Sequence, residues 1–382
     1  NVGCQSNAKR PPSQPAAIIR QLQFSKAGQI YRTSLIESFD KPILSATISE
    51  SSAAGGNVLH VLLGCESNSI VDYPLTPQMD IAHKITRNII NNDGFSPQYI
   101  TYDDFENQRL LFITGFVYSG NKNGRLKVFN GNNPNKNYRE MAALDFSLND
   151  NYYKTTIPLI PLTLSKYPEN YPRGYILEDT QGYPSIDQIR FELTESKGLQ
   201  IYQVPILLGP YSPISLTTAL YPNGNSFVYM IDQNSFELLP MKESINGGTI
   251  EFPQELENKL FTLASDGKYL YMGTNIAESP GIISGNSLFY STVDYDNGTL
   301  IKKRLLESGI TGQIKKIFFI DTPSTKLHHI IYLSHYVNSN FSTIDDSISS
   351  LGMYDKNHLQ PESQVYEMPS YQIVDALVSP SN

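Results

Sequence analysis

Residues 265–275 read Ser265-Asp266-Gly267-Lys268-Tyr269-Leu270-Tyr271-Met272-Gly273-Thr274-Asn275, and this stretch decides the fold. Asp266-Gly267 is a tight-turn signal, because Asp tolerates positive φ and Gly adopts it freely. The run that follows, 269–274, is apolar on both alternating faces. That is the pattern of a strand covered on both sides rather than half-wetted.

The same unit recurs. Residues 54–57 (AGGN) precede 58–64 (VLHVLLG), 103–108 precede 110–116 (LLFITGF), 222–225 (PNGN) precede 227–232 (FVYMID), and 323–326 precede 329–334 (HIIYLS). A degenerate copy centres on Tyr175-Ile176-Leu177, and the mean spacing is then about 54 residues, the rhythm of one small sheet repeated along the chain. Asn223-Gly224 and Asn297-Gly298 add hairpin signals. In 124–129, Leu126 and Val128 alternate with Arg125 and Lys127, which reads as an outer strand with one wet face.

The fold predicted is all-β: a single β-propeller of six or seven four-stranded blades over 29–382, behind a flexible N-terminal tether over 1–28. A sandwich needs no fixed repeat, whereas a ring of sheets does. Residues 373–378 (IVDALV) are expected to pair near 29–34 or 43–49 and close the ring, which removes exposed strand edges. Helical periodicity is sparse. Ile81, Ile85 and Ile89 recur at four-residue steps, so 79–91 is expected to form a short helix, and 253–259 a single turn.

Composition agrees. The chain has 382 residues, 25 Tyr, 17 Phe and no Trp, with 25 Gly and 24 Pro; aromatic strands and many turns suit short β elements. Net charge is −8 without a run of either sign, which argues against nucleic acid as a partner. No apolar stretch is long enough for a transmembrane segment.

Catalytic signatures are missing. His329 and His335 share a strand face but lie about 20 Å apart at ~3.3 Å per residue, too far to hold one metal. Asp294-Tyr295-Asp296-Asn297-Gly298 resembles the start of a calcium loop, but Glu307 is out of register for the late ligand, and a hairpin turn explains the same residues. No nucleophile elbow, phosphate loop, dinucleotide fingerprint or zinc-protease motif occurs. The sequence therefore assigns no catalytic residue, no cofactor and no metal.

Two resemblances add to this reading. Residues 265–275, with 286–290 (NSLFY) and 296–300 (DNGTL), resemble a blade of the bacterial YVTN-type β-propeller surface proteins, and 222–241 is a shorter match. Enzymes of lactonase-like and methylamine dehydrogenase-like type share such blades with non-catalytic surface proteins, so the resemblance implies architecture rather than activity. Val2-Gly3-Cys4-Gln5-Ser6 resembles the processing site of a bacterial lipoprotein, although Asn1 departs from that pattern. The resemblance implies a lipid on Cys4, the one route to a membrane. A Cys4–Cys65 disulfide is the competing arrangement.

Residues 158–184 are rich in Pro and Tyr, a composition that gives stiff contact area. Tyr167, Tyr171, Tyr175 and Tyr183 are the candidate partner contacts. The function expected is a non-enzymatic binding or assembly module of the bacterial cell envelope, periplasmic, outer-membrane or secreted, with a protein partner. The alternatives are a propeller enzyme, lactonase-like hydrolase or oxidoreductase, and a glycan-binding surface propeller.

Overall fold

The structure is a computed structural model that describes residues 17–24, 30–49, 56–64, 69–75, 84–88, 94–105, 108–118, 122–131, 138–147, 162–165, 173–180, 183–195, 198–207, 209–211, 213–232, 235, 237–244, 247–250, 253–256, 260–274, 284–322, 327–337, 347–355, 364–369 and 377. Among these residues all regular structure is β. Strands β1 (Ala17–Phe24) and β2 (Ile30–Phe39) form a two-stranded antiparallel hairpin.

Six four-stranded antiparallel sheets follow, each taking its strands in chain order. Sheet 1 holds β3 (Ile43–Ser49), β4 (Val58–Leu63), β5 (Ser69–Pro74) and β6 (Ile85–Asn88). Sheet 2 holds β7 (Phe95–Phe105), β8 (Gln108–Tyr118), β9 (Lys122–Asn130) and β10 (Arg139–Ser147). Sheet 3 holds β11 (Thr163–Leu164), β12 (Arg173–Thr180), β13 (Tyr183–Thr194) and β14 (Gly198–Leu207). Sheet 4 holds β15 (Pro213–Leu220), β16 (Ser226–Asp232), β17 (Leu238–Ser244) and β18 (Gly247–Ile250). Sheet 5 holds β19 (Leu260–Ser265), β20 (Tyr269–Thr274), β21 (Ser284–Val293) and β22 (Leu300–Thr311). Sheet 6 holds β23 (Gln313–Thr322), β24 (Leu327–Val337), β25 (Ser347–Asp355) and β26 (Gln364–Pro369).

The apolar runs flagged by the repeat, with the degenerate copy at Tyr175, fall on β4, β8, β12, β16, β20 and β24. Each is the second strand of its sheet, paired on both edges. They also pack on both faces. In β16, Val228 and Met230 meet Tyr175 and Ile186 of sheet 3. The alternate residues Phe227 and Tyr229 meet Leu270 and Met272 of sheet 5. Period-two geometry sends successive side chains to opposite faces, so a strand with a sheet on either side must be apolar throughout. Phe112 of sheet 2 and Phe191 of sheet 3 pack with ring centroids 4.7 Å apart, and Ile100 and Leu111 of sheet 2 pack on Leu62 and Ile70 of sheet 1. The other face of sheet 1 (Val61, Leu63, Val71, Tyr73) is covered by Ala17, Ile19 and Phe39 of the hairpin.

The first strands share a second regularity. Pairing with the second strand skips one residue near the start of β3, β7, β15, β19 and β23, at Leu44, Gln98, Ile214, Phe261 and Lys315. Such bulges bend and twist a strand. First strands are also tied to one another. The Ile100 amide donates to Ser45 Oγ (3.3 Å), Thr218 Oγ1 donates to the Leu164 carbonyl (2.8 Å), and Thr262 Oγ1 donates to the Ile314 carbonyl (2.6 Å).

Three expectations need correction. The helix at 79–91 is replaced, in its described part, by β6, whose Ile85 pairs with Asp72. A four-residue step is a multiple of two, so Ile81, Ile85 and Ile89 fit a strand face as well as a helix face. The turn at 253–259 is extended where described, with Gln254 bridging Leu238. The tether over 1–28 contains β1, whose Ala17 and Ile19 pack in the core. The expected closing strand at 373–378 lies outside the described residues apart from residue 377.

Candidate functional site

The most chemically loaded cluster spans all four strands of sheet 1. Ser49 ends β3, His60 and Asp72 are directly paired on β4 and β5, and Arg87 sits on β6. His60 Nε2 is 2.8 Å from Ser49 Oγ, and Nδ1 is 2.7 Å from Asp72 Oδ1. Arg87 Nε donates to Asp72 Oδ2 at 2.5 Å. Tyr138, just before β10 of sheet 2, donates its hydroxyl to the same Oδ2 and stacks its ring on the Arg87 guanidinium, 4.6 Å from the centroid.

Burial alone pushes Asp72 up. Hydrogen bonding and charge from His60, with hydrogen bonds from Tyr138 and Arg87, outweigh it and hold the carboxyl below its ordinary range. The resulting carboxylate can only accept, so Nδ1–H donates to it, and Nε2 stands within hydrogen-bond distance of the Ser49 hydroxyl. Burial raises the Tyr138 phenol, and the adjacent Asp72 charge raises it further.

Nucleophile, base and orienting acid therefore stand in hydrogen-bond sequence, as acyl transfer requires. Access is another matter. Ser49, His60, Asp72 and Arg87 are 0%, 1%, 2% and 2% exposed, so no substrate reaches the serine in this arrangement. What the cluster does in place is join four strands and clasp sheet 2 to sheet 1.

A second cluster performs the same task between sheets 3 and 4. Glu243 on β17 accepts from Ser165 (2.5 Å) and Tyr175 (2.7 Å) of sheet 3 at Oε1, and from Ser226 of its own sheet at Oε2. Gln188 Nε2 donates to Tyr175 Oη at 3.0 Å, and Arg173 Nη1 reaches the Ser244 carbonyl at 3.0 Å.

Tyrosine–carboxylate contacts recur in sheets 5 and 6. Tyr271 donates to Asp266 (3.1 Å), and Tyr332 hydrogen-bonds Glu307. In each pair burial raises the phenol first and the carboxylate charge adds to it.

This settles one sequence candidate against expectation: Tyr175 is fully buried and bonds Glu243, so it is no exposed partner contact. Position on a second strand, covered on both faces, overrides the surface character of its Pro-rich neighbourhood. Tyr183 pairs with Thr180 at the β12–β13 turn, its side chain lying outside the described residues. Tyr167, Tyr171, Cys4 and Cys65 lie outside them as well. Asp294 forms a hairpin turn, accepting from the Asp296 amide (2.9 Å) and Asn297 Nδ2 (3.0 Å), with Gly298 at φ 77°. Among the described residues no group of three or more His, Cys, Asp or Glu is placed to hold a metal, and no helix is long and apolar enough to cross a membrane.

The His60 cluster escaped the sequence reading, yet a signal was present. His60 is the lone polar residue of the apolar run VLHVLL, and Asp72 is the lone carboxylate of the next, SIVDYP. Buried polar groups must find partners, and adjacent strands offer them.

No protein-family model matches the chain, and no curated protein matches it. Similar solved structures do exist. A protein provisionally named a 6-phosphogluconolactonase, from Bacteroides uniformis, superposes at TM-score 0.56 with 12% identity, covering 91% of each chain. An arginine-to-alanine triple variant of AofleA from Arthrobotrys oligospora gives TM-score 0.45 at 7% identity, covering 86% of this chain and 88% of that one. A protein provisionally named an exo-β-1,3-galactanase, from Bifidobacterium bifidum, gives 0.39 at 10% identity over 72% and 93%. At such identity the first supports a shared overall fold, with activity left to the site itself.

Proposed function

We propose that the six sheets are the blades of one closed β-propeller, with the β1–β2 hairpin as a partial seventh member, and that the ring is a rigid binding or assembly module. Closure is supported at both ends of the row. Ile330 and Tyr332 of β24 pack toward sheet 5. The alternate residues Ile331 and Leu333 face away from sheet 5 and are still buried, as a further layer over sheet 6 would require. The hairpin covers the corresponding outer face of sheet 1, and one wedge between the two sheets satisfies both. Such a ring predicts that Phe39→Ala, which loosens the hairpin, raises amide exchange in β24 as well as in β4.

The observation that carries the function is the burial of the Ser49–His60–Asp72 constellation beneath Tyr138. Its chemistry is committed to joining sheets, as is that of the Glu243 cluster, so the scaffold is stiff and recognition falls to its surface. Placement in a bacterial envelope through a lipid on Cys4 is part of the same proposal and rests on the sequence resemblance.

The one observation that favours a hydrolase is the spacing of the same three residues. A fluorophosphonate probe separates the readings. Native protein that stays unlabelled at Ser49, and that recovers a stoichiometric protein partner from its source, supports the module. Labelling lost in Ser49→Ala establishes the hydrolase instead.

A further inference from the structure

We propose that the outer edge of sheet 5, residues 302–305 of β22, docks an acidic extended protein segment; this rests on the binding-module reading and names the chemistry of its partner. Outer strands are a liability because their free N–H and C=O groups template further pairing, and proteins guard them. The guarding here is uneven. β6 and β18 have four residues each. β14 carries Pro205, which removes a donor. β10 balances its charges internally, Asp145 with Arg125 and Glu140 with Lys127 of β9.

β22 is guarded by other means: cations, which repel a like-charged edge and not an acidic one, and the irregular register of its pairing with β21. It runs for 12 residues without proline. It bears two of the four exposed large hydrophobic side chains among the described residues, Ile301 at 67% and Leu305 at 54%. Between them lie Lys302, Lys303 and Arg304, a block of three cations in a chain of net charge −8.

The geometry defines a short window. Register irregularities bracket an unbroken stretch in which Lys302, Lys303, Arg304 and Leu305 pair with Thr292, Ser291, Tyr290 and Phe289 of β21. Lys303 Nζ lies 5.2 Å from the Phe289 ring centroid and Arg304 Nη1 lies 3.5 Å from Tyr290 Oη, so these two cations lie beside aromatic side chains of β21, within reach of a strand added at the edge. Glu307, the acid on the strand, is engaged by Tyr332. A second copy of the chain would bring like charges together across the edge, which costs energy. An incoming strand with acidic residues and intervening aliphatics would meet the cations and cover Ile301 and Leu305, the mode known as strand addition.

The test uses the full chain and the labelled probe peptide acetyl-Glu-Val-Glu-Val-Glu-amide, with its backbone-N-methylated form and a Lys-for-Glu form as controls, read by fluorescence anisotropy. Saturable binding is expected for the acidic peptide. It should weaken with salt, fall about tenfold or more in Lys302→Glu/Arg304→Glu, and disappear on N-methylation. All changed positions are exposed or half-exposed, and the circular dichroism of the variant confirms that it folds. Equal binding of the Lys peptide or the N-methylated peptide, no binding at all, or preference for anionic vesicles overturns the edge assignment. A partner still recovered by the Lys302→Glu/Arg304→Glu chain would then show that docking lies elsewhere, leaving the module reading intact.

Discussion

The junction of sheets 1 and 2 and the junction of sheets 3 and 4 solve one problem with different chemistry. Both bury a carboxylate on the third strand of a sheet, Asp72 and Glu243, and both have a tyrosine of the adjacent sheet donate to it. At Asp72 the remaining partners are a guanidinium and an imidazole. At Glu243 they are serine hydroxyls. The first junction buries a charge pair and is costly to break on one side only; the second spreads one charge over three neutral donors and is expected to fail by degrees.

Unfolding free energies give the sharpest break of this comparison. Asp72→Asn leaves Arg87 buried beside a neutral amide and should cost about 3–5 kcal/mol. Glu243→Gln keeps an acceptor for its hydroxyl donors and should cost about 1–3 kcal/mol. Equal losses in urea melts would erase the distinction between charged and neutral clasps. Tyr138→Phe and Tyr175→Phe each remove one donor to a buried carboxylate and should cost about 1–3 kcal/mol, the two values lying close together because that element is shared.

Acid separates the junctions further. The Asp72 carboxyl is depressed in the folded state, so its contribution is present above the unfolded carboxyl value near 3.9 and is lost as pH falls below it. Stability measured from pH 5 down to pH 2 should drop more steeply in the wild type than in Asp72→Asn. At the alkaline end the raised phenols of Tyr138, Tyr175, Tyr271 and Tyr332 contribute stability that is full below about pH 10 and is lost as pH climbs above it. Absorbance at 295 nm should therefore show part of the 25 tyrosines titrating only with unfolding.

The smallest effect lies outside both junctions. Burial, with the neighbouring Asp104 charge, pushes Asp103 up to about 6. This raised group favours the fold at low pH and costs stability once ionised. Asp103→Asn should thus gain about 1 kcal/mol at pH 8 and little at pH 4.

Much of this architecture is legible in the chain. The apolar runs of the repeat, with Tyr175–Leu177, announce the six second strands because only a strand covered on both faces lacks polar alternation. The Asp-Gly and Asn-Gly turns announce the hairpins because positive φ is cheap there. The error at 79–91 came from a spacing that two periodicities share. At Tyr175 the local Pro-rich composition points to exposure, whereas its place on a second strand buries it. His60, Asp72 and Arg87 were not joined because their meeting depends on register, which places His60 opposite Asp72 and brings Arg87 diagonally to the same carboxylate.

By itself the sequence determined that this protein is all-β, repeated and turn-rich, since alternation, apolar runs and turn chemistry are local properties written in neighbouring residues. Which tyrosines are buried against carboxylates, that a serine, a histidine and an aspartate stand in line yet out of reach, and that Lys302, Lys303 and Arg304 lie between exposed Ile301 and Leu305 on an outer strand are decided by the tertiary structure alone. Those facts depend on which sheet lies against which, and such contacts join residues tens of positions apart whose identities carry no local mark of their partners.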